Sequence, residues 1–422
     1  MENLFENLSQ YNFWTKKNVN FGYIRANYLN NIIKYLNTKL VKVLTGQRRC
    51  GKSYILRQII QYLINNQNVN PNNIFYMSKE FIGFETITNS THLHQLFIYY
   101  KQKLNVTGRI YVFLDEIQNI ENWELFVNSY SQDFTSEYEI FITGSNSKLL
   151  SGELATHLSG RYIEFGIYPF SFFEYVEYHK LETNKDSYVK FLSTGGLPEL
   201  VNFNQSEIIK NYIESLKSTI ILRDIISRHT IKDISLLDDI FRFIISNIGN
   251  LTSVSNIVKY YKNLGKKTNY ETVALYLSYL TECFVIHEID RFDIRGKQIL
   301  NGVKKFYLND LSFKNYLLGF QPTDFGYNIE NQIFNLLSEK NYKIFTGVFK
   351  DYEIDFIAQK NNETIYIQVA YLLANEETVN REFGNLQKID DNFLKIVVSL
   401  DDVQFSHYKG IKHYRPWELN FL

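Results

Sequence analysis

Cysteine is nearly missing from this chain: Cys50 and Cys283 are the only two among 422 residues. So few cannot build the disulfide framework of a small secreted domain, and the usage fits a reducing compartment. Long apolar runs are missing as well, with nothing near the roughly 18 residues a membrane span needs. The opening residues, MENLFENLSQ, lack the basic leader and apolar stretch of a signal peptide. The expectation is a cytoplasmic, soluble protein with no membrane partner. Net charge is absent too. Lys plus Arg and Asp plus Glu both number 45, so any basic patch for nucleic acid must be local. The 8 histidines are scattered without ligand spacing, and no zinc is expected. What the chain has in plenty is apolar and aromatic: 45% hydrophobic, with 32 Tyr and 33 Phe. That is ample for a core. The aromatics accompany abundant Asn, Ile and Lys, a coding bias rather than a sign of base-stacking surfaces. The length suggests two or three domains.

One stretch organises the rest. The apolar run Leu40, Val41, Val43, Leu44 leads into Gly46-Gln47-Arg48-Arg49-Cys50-Gly51-Lys52-Ser53, the phosphate-loop pattern G-x-x-x-x-G-K-[ST] with every fixed position filled. Gly46 and Gly51 permit backbone angles that let N–H groups wrap a polyphosphate. Lys52 supplies a positive charge for the β/γ-phosphates, and the Ser53 hydroxyl can ligate Mg²⁺. Apolar residues at helical spacing follow (Ile55, Leu56, Ile59, Ile60, Leu63), beginning a helix whose positive end meets the phosphates. Residues Gly46 through Tyr54 are therefore the expected ATP-binding segment.

A second signature lies downstream. The run Ile110-Tyr111-Val112-Phe113-Leu114 reads as a buried parallel strand and ends in Asp115-Glu116. Ligands of open α/β sheets sit at such strand ends. Asp115 is the expected Mg²⁺ carboxylate and Glu116 the residue that activates water. The next strand, Tyr138–Thr143, ends in Gly144-Ser145-Asn146, where Asn146 or Ser145 could contact the γ-phosphate or the attacking water. The alternative is a polar turn capping the next helix. Arg161, at the head of another apolar run, is a candidate for stabilising transition-state charge, in cis or from a neighbouring subunit, with plain salt-bridging as the alternative. Strands alternating with helices from about residue 20 to 175 predict a parallel sheet with right-handed crossovers.

These residues carry a resemblance. GQRRCGKS, FLDEIQNIENW, FITGSNS, HLSGRYIEF and PFSFFEY, with STGGLPEL at 193–200, resemble the bacterial and archaeal ATPases of the extended AAA type, in the STAND-like branch. The resemblance implies an ATPase core followed by a helical segment, a winged helix and a PD-(D/E)xK nuclease-like tail. The expected fold class is α/β, a P-loop parallel sheet followed by a helical winged-helix domain and a small α/β nuclease-like domain. The expected domains are 1–180, 181–235, 236–320 and 321–422. Within the second, Arg223 is a candidate nucleotide sensor. Helical stretches at 236–247, 253–263 and 270–282 precede a β-ribbon at 284–289 and 304–308. Lys259, Lys262, Lys266 and Lys267 cluster without an acid, which would favour DNA phosphate, although a solvated face explains them as well.

In the tail, the nuclease pattern wants an acid on a helix, an Asp after a strand, then E-x-K. Glu330 and Asp355 fit the first two. Gln368 replaces the Glu and Ala370 the Lys, removing an anionic metal ligand and a cation, so a vestigial site without hydrolysis is expected. The leading expectation is an Mg²⁺-dependent ATPase whose nucleotide state governs its C-terminal domains. Its rivals are a slow or non-hydrolysing ATP switch that adapts to DNA or to a protein partner, and an active nuclease. The sequence leaves the oligomeric state open.

Overall fold

The computed structural model describes residues 1–15, 18–149, 158, 160–402 and 408–422. His157 and Ser159, within the HLSGRYIEF stretch, lie outside them. The chain forms two compact units, Met1–Ile167 and Tyr168–Leu422. The first break falls earlier than the residue 180 expected from sequence, directly after the last strand of the first sheet.

The first unit is a five-stranded parallel sheet built from β1 (Val41–Thr45), β2 (Ile74–Ser78), β3 (Ile110–Asp115), β4 (Tyr138–Gly144) and β5 (Tyr162–Gly166). The order is β2-β3-β4-β1-β5. Every residue of β1, β2 and β3 is buried, as expected of strands covered on both faces. Helices α3 (Lys52–Asn66), α4 (Ser90–Lys103) and α5 (Trp123–Ser131) provide the cover. The amphipathic face of α3, Ile55, Leu56, Ile59, Ile60 and Leu63, packs in one core cluster with Leu44, Phe113 and Phe141. Asn89 caps α4, its side-chain oxygen accepting from the backbone N–H of His92 at 3.0 Å.

The lead-in also docks on this sheet. It contains α1 (Glu2–Tyr11) and α2 (Ala26–Ile33). The Asn12 side chain bonds both the N–H and the carbonyl of Tyr76, at 2.8 Å each, and Trp14 Nε1 donates to the Ile74 carbonyl at 2.7 Å.

The second unit begins with helices Phe172–His179, Lys185–Thr194 and Ser206–Thr219, the last continuing as a π-helical stretch Ile220–Ile226. Helices Ile234–Ser246, Val254–Asn263 and Tyr270–Glu282 match the sequence pattern within two residues. Between the first two of these sits the short strand β6 (Thr252–Ser253). The ribbon that follows, β7 (Ile286–Asp293) and β8 (Gln298–Leu308), is longer than the apolar pattern indicated. The final segment adds helices Ser312–Leu318, Phe325–Glu339 and Glu376–Gln387 and strands β9 (Lys343–Phe349), β10 (Tyr352–Lys360), β11 (Glu363–Val369), β12 (Leu394–Val398) and β13 (Lys412–Tyr414).

A boundary at residue 320 is not visible in the strand pairing. Ribbon and tail share one eight-stranded sheet, β13-β12-β11-β10-β9-β7-β8-β6. The join is β7 against β9, parallel, with Arg291, Phe292 and Asp293 opposite Thr346, Gly347 and Val348. An exposed ribbon edge and an exposed tail edge have thus satisfied each other's backbone groups. Among the described residues, no helix is long and apolar enough to cross a membrane.

Candidate nucleotide site

Parallel pairing brings the C-terminal ends of β1, β3 and β4 side by side, with Thr45 opposite Gly144 and Leu114 opposite Ile142. The phosphate loop leaves β1 here. Gly46 and Gly51 have φ of +149° and +104°, and a Cβ on Gly46 would stand 2.2 Å from the Ile167 carbonyl oxygen. Neither position admits a side chain without strain. Gly51 ends the loop in a left-handed conformation, and α3 starts at Lys52.

Lys52 is buried. Its ammonium donates to the carbonyls of Gly46 (2.9 Å) and Gln47 (3.1 Å) and lies 3.5 Å from Glu116 Oε1. Burial acts to lower its pKa, but nearby Cys50, Glu116 and Asp115 outweigh it and the net shift is upward. The Ser53 hydroxyl hydrogen-bonds the Asp115 carboxylate. Asp115 is buried too. Its Oδ1 accepts from Thr143 Oγ1 at 2.5 Å and its Oδ2 from the Tyr76 hydroxyl at 3.3 Å. Burial and the adjacent Glu116 charge hold its pKa above the ordinary carboxylate value. A buried carboxylate under such pressure, bonded to a serine hydroxyl, fits a hard divalent cation with oxygen ligands. No group of three or more His, Cys, Asp or Glu side chains among the described residues could hold a metal alone. A cation here would therefore draw its remaining ligands from phosphate and water.

Glu116 adopts a left-handed backbone (φ +54°) that turns its side chain out of the strand direction. Its N–H donates to Thr143 Oγ1 at 2.9 Å. Burial pushes its pKa up, but Lys52, Arg48 and hydrogen bonds from Gln118 and Ser145 bring the net shift below the ordinary value. It is therefore a carboxylate at neutral pH.

The other expected residues fall as follows. Gln47 and Cys50 are buried in the loop, and burial raises the Cys50 thiol pKa. Arg48 is half-buried and pairs with Glu80 at 2.6 Å, whereas Arg49 is exposed at φ +71°. Tyr54 lies against Gly22, with the Arg57 guanidinium 4.0 Å from its ring centroid. At the end of β4, the side chain that reaches Glu116 is that of Ser145, at 3.0 Å; Asn146 is buried one residue further on. Arg161 does not reach the phosphate loop of its own chain. Its carbonyl accepts from Val41 N at 2.9 Å, at the start of β1, one strand length (about 16 Å for five residues) from the loop. Arg223 is an exposed residue of the π-helical stretch in the second unit.

Sequence reasoning missed Thr143, Gln118, Tyr76 and Arg25. Arg25 Nη1 donates to the Cys50 carbonyl at 3.1 Å, fixing the loop from the lead-in. In the second unit it missed Lys305. This buried lysine of β8 lies 2.8 Å from Glu330 Oε1, 2.8 Å from Glu353 Oε1 and 3.4 Å from Asp355 Oδ1. Gln368 Oε1 accepts from Asp355 N at 3.0 Å, and Asp355 Oδ2 from Val369 N at 2.8 Å. Glu330, Asp355 and Gln368 thus do come together, around an ammonium from another strand.

The AAA domain family matches residues 38–176, and a domain of unknown function (DUF8612) matches 185–324. The chain belongs to one family with the two relatives that follow, and its residues 38–176 are an AAA domain. An uncharacterized protein of Haemophilus influenzae is 32% identical over 393 residues, covering 92% of this chain and 96% of that protein. Uncharacterized protein MJ1544 of Methanocaldococcus jannaschii is 30% identical over 419 residues, covering 92% and 90%. Among solved structures, the Walker-type ATPase PABY2304 of Pyrococcus abyssi aligns with a TM-score of 0.45 and 18% identity, covering 70% of this AAA-type chain and 96% of that one.

Proposed function

We propose that this AAA-type protein binds ATP with Mg²⁺ and hydrolyses it, and that the second unit is the part its nucleotide state controls. The observation that carries this is the convergence of Lys52, Ser53, Asp115 and Glu116, with Lys52 Nζ 3.5 Å from Glu116 Oε1 and the Ser53 hydroxyl on Asp115. Lys52 now spends its protons on two loop carbonyls and can turn them to the β/γ-phosphates. Ser53 and Asp115 would hold Mg²⁺, which when bound offsets phosphate charge. Glu116, ionised and buried, accepts a proton from the attacking water. Arg161, at the far end of the sheet from its own loop, would serve the site of a neighbouring copy.

Phosphate release from ATP tests this. K52A should abolish turnover by weakening nucleotide binding, and E116Q should abolish turnover while retaining it. Unchanged hydrolysis in K52A would refute the proposal.

A second reading concerns the partner. The order helix, short strand, helix, helix, ribbon supports a winged helix over residues 234–308. Lys259, Tyr260, Lys262, Lys267 and Tyr270 are exposed on or beside its second and third helices, suited to DNA phosphate and sugar. In this reading ATP switches DNA or partner affinity with little turnover. The nuclease-like cluster fits either reading as a site without hydrolysis, because Gln368 offers a neutral amide where a divalent cation would need an anionic oxygen.

A further inference from the structure

The carboxylate of Glu116 has two unlike oxygens. Among the described residues, the ion-pair partner of Oε1 is Lys52, at 3.5 Å. Oε2 accepts from Ser145 Oγ at 3.0 Å and from Gln118 Nε2 at 2.5 Å, and Gln118 Nε2 also reaches Ser145 Oγ at 3.3 Å. The three side chains close a triangle in which the Ser145 hydroxyl donates a hydrogen bond to Glu116 and accepts one from Gln118. The amide can face only one way, since its oxygen turned toward Glu116 would oppose a carboxylate.

Gln118 is aimed by its surroundings. It sits in the turn Ile117–Asn119, whose flanking Ile117 and Ile120 are buried. Its Oε1 is buried and has no hydrogen-bond partner. That oxygen lies against Gly144, where a Cβ would stand 2.8 Å away. A glutamine that leaves its own acceptor unsatisfied to keep its donor on Glu116 is held there at a cost.

We propose that Gln118, with Ser145, is the positioning residue for the catalytic carboxylate: it immobilises Glu116 Oε2 and leaves Oε1 as the oxygen that takes the proton from water. This rests on Glu116 being the base, and it assigns the atom. When Lys52 turns to the phosphates, Oε1 loses its partner while Oε2 stays saturated by two donors. Only Oε1 then has a lone pair facing a reacting water. The water O–H bond breaks toward Oε1 as its oxygen attacks the γ-phosphorus and ADP leaves.

The test is single-turnover hydrolysis with the full chain in excess over labelled ATP, from pH 5 to 9. It compares wild type, Q118M, Q118A, S145A and E116Q, with affinity for a fluorescent ATP analogue measured alongside. Methionine preserves the volume of glutamine without the amide. Expected are a 10- to 100-fold fall in rate for Q118M and Q118A and analogue affinity within twofold of wild type. The acid limb of the rate profile should also move to higher pH, because Glu116 loses a donor that favours its ionised form. Q118M matching wild type in rate and acid limb would overturn the proposal by showing that Gln118 only fills space. Loss of analogue binding in parallel with rate would overturn it by showing a structural role. Wild-type rate in E116Q would instead remove the underlying reading of Glu116, and this assignment with it.

Discussion

Thr143 shows how much one hydroxyl can organise. Its Oγ1 donates to Asp115 and accepts from the Glu116 N–H, tying the expected metal ligand and the expected base to the end of β4. T143V keeps the shape and removes both bonds. It leaves a buried N–H unpaired, at a cost of about 1–3 kcal/mol. The expected outcome is a lower urea midpoint together with a higher Mg²⁺ requirement for phosphate release; a midpoint shift with unchanged Mg²⁺ dependence would show that Thr143 serves stability alone. Lys52, Ser53, Asp115 and Glu116 were legible because phosphate chemistry demands fixed types at fixed spacing. Thr143 was not, because in FITGS a threonine reads as an ordinary strand former. Of the two alternatives open for Arg161, its position at the head of β5, beside the start of β1, favours a neighbouring subunit over its own site.

Elements were legible where periodicity was strong and illegible where partners were distant. The buried strands of the first sheet and the three helices from 234 to 282 follow their apolar patterns closely. The Gly195-Gly196-Leu197-Pro198 stretch reads as a helix break, because Gly and Pro punctuate helices, but what holds it is not written in the local sequence. Buried Asp310 accepts from Gly196 N at 2.7 Å and Ser312 N at 2.9 Å, so one carboxylate joins this turn to the start of helix Ser312–Leu318. A Cβ on Gly195 would stand 2.4 Å from the same carboxylate. Burial raises the Asp310 pKa, and its N–H donors work in the opposite direction. D310A leaves these donors without an acceptor and should destabilise the second unit by about 3 kcal/mol, more than one lost neutral hydrogen bond. D310N keeps an acceptor oxygen and should recover part of the loss. Equal stability of D310A and wild type in urea melts would contradict this account.

Across the second unit, the continuous sheet makes ribbon and tail one body, and Lys305 is its electrostatic pin. From β8 it reaches across the boundary drawn from sequence to Glu330 on the helix Phe325–Glu339 and to Glu353 and Asp355 on β10. The pairing across that position was not legible because a resemblance names modules one at a time, whereas edge strands pair by geometry. Burial opposes the charge of Lys305, but the three carboxylates outweigh it and raise its pKa. Glu330 carries the opposite tension: burial lifts its pKa to about 7 even against the Lys305 ammonium. Between its unfolded value near 4.5 and about 7, the folded chain keeps a proton that the unfolded chain has released. Raising the pH through that window therefore removes stability. E330Q lacks this titration, and its stability should be flatter than wild type from pH 5 to 7. K305M leaves the carboxylates buried without their cation and should cost about 3–5 kcal/mol at pH 7. The double variant K305M/E330Q removes one of the stranded charges and should be more stable than K305M alone. Urea melts of the four proteins at pH 5, 6 and 7 decide the matter. If K305M costs nothing, or if E330Q fails to relieve it, the cluster is a set of tolerated surface-like charges and the two halves of the sheet are held by backbone pairing alone.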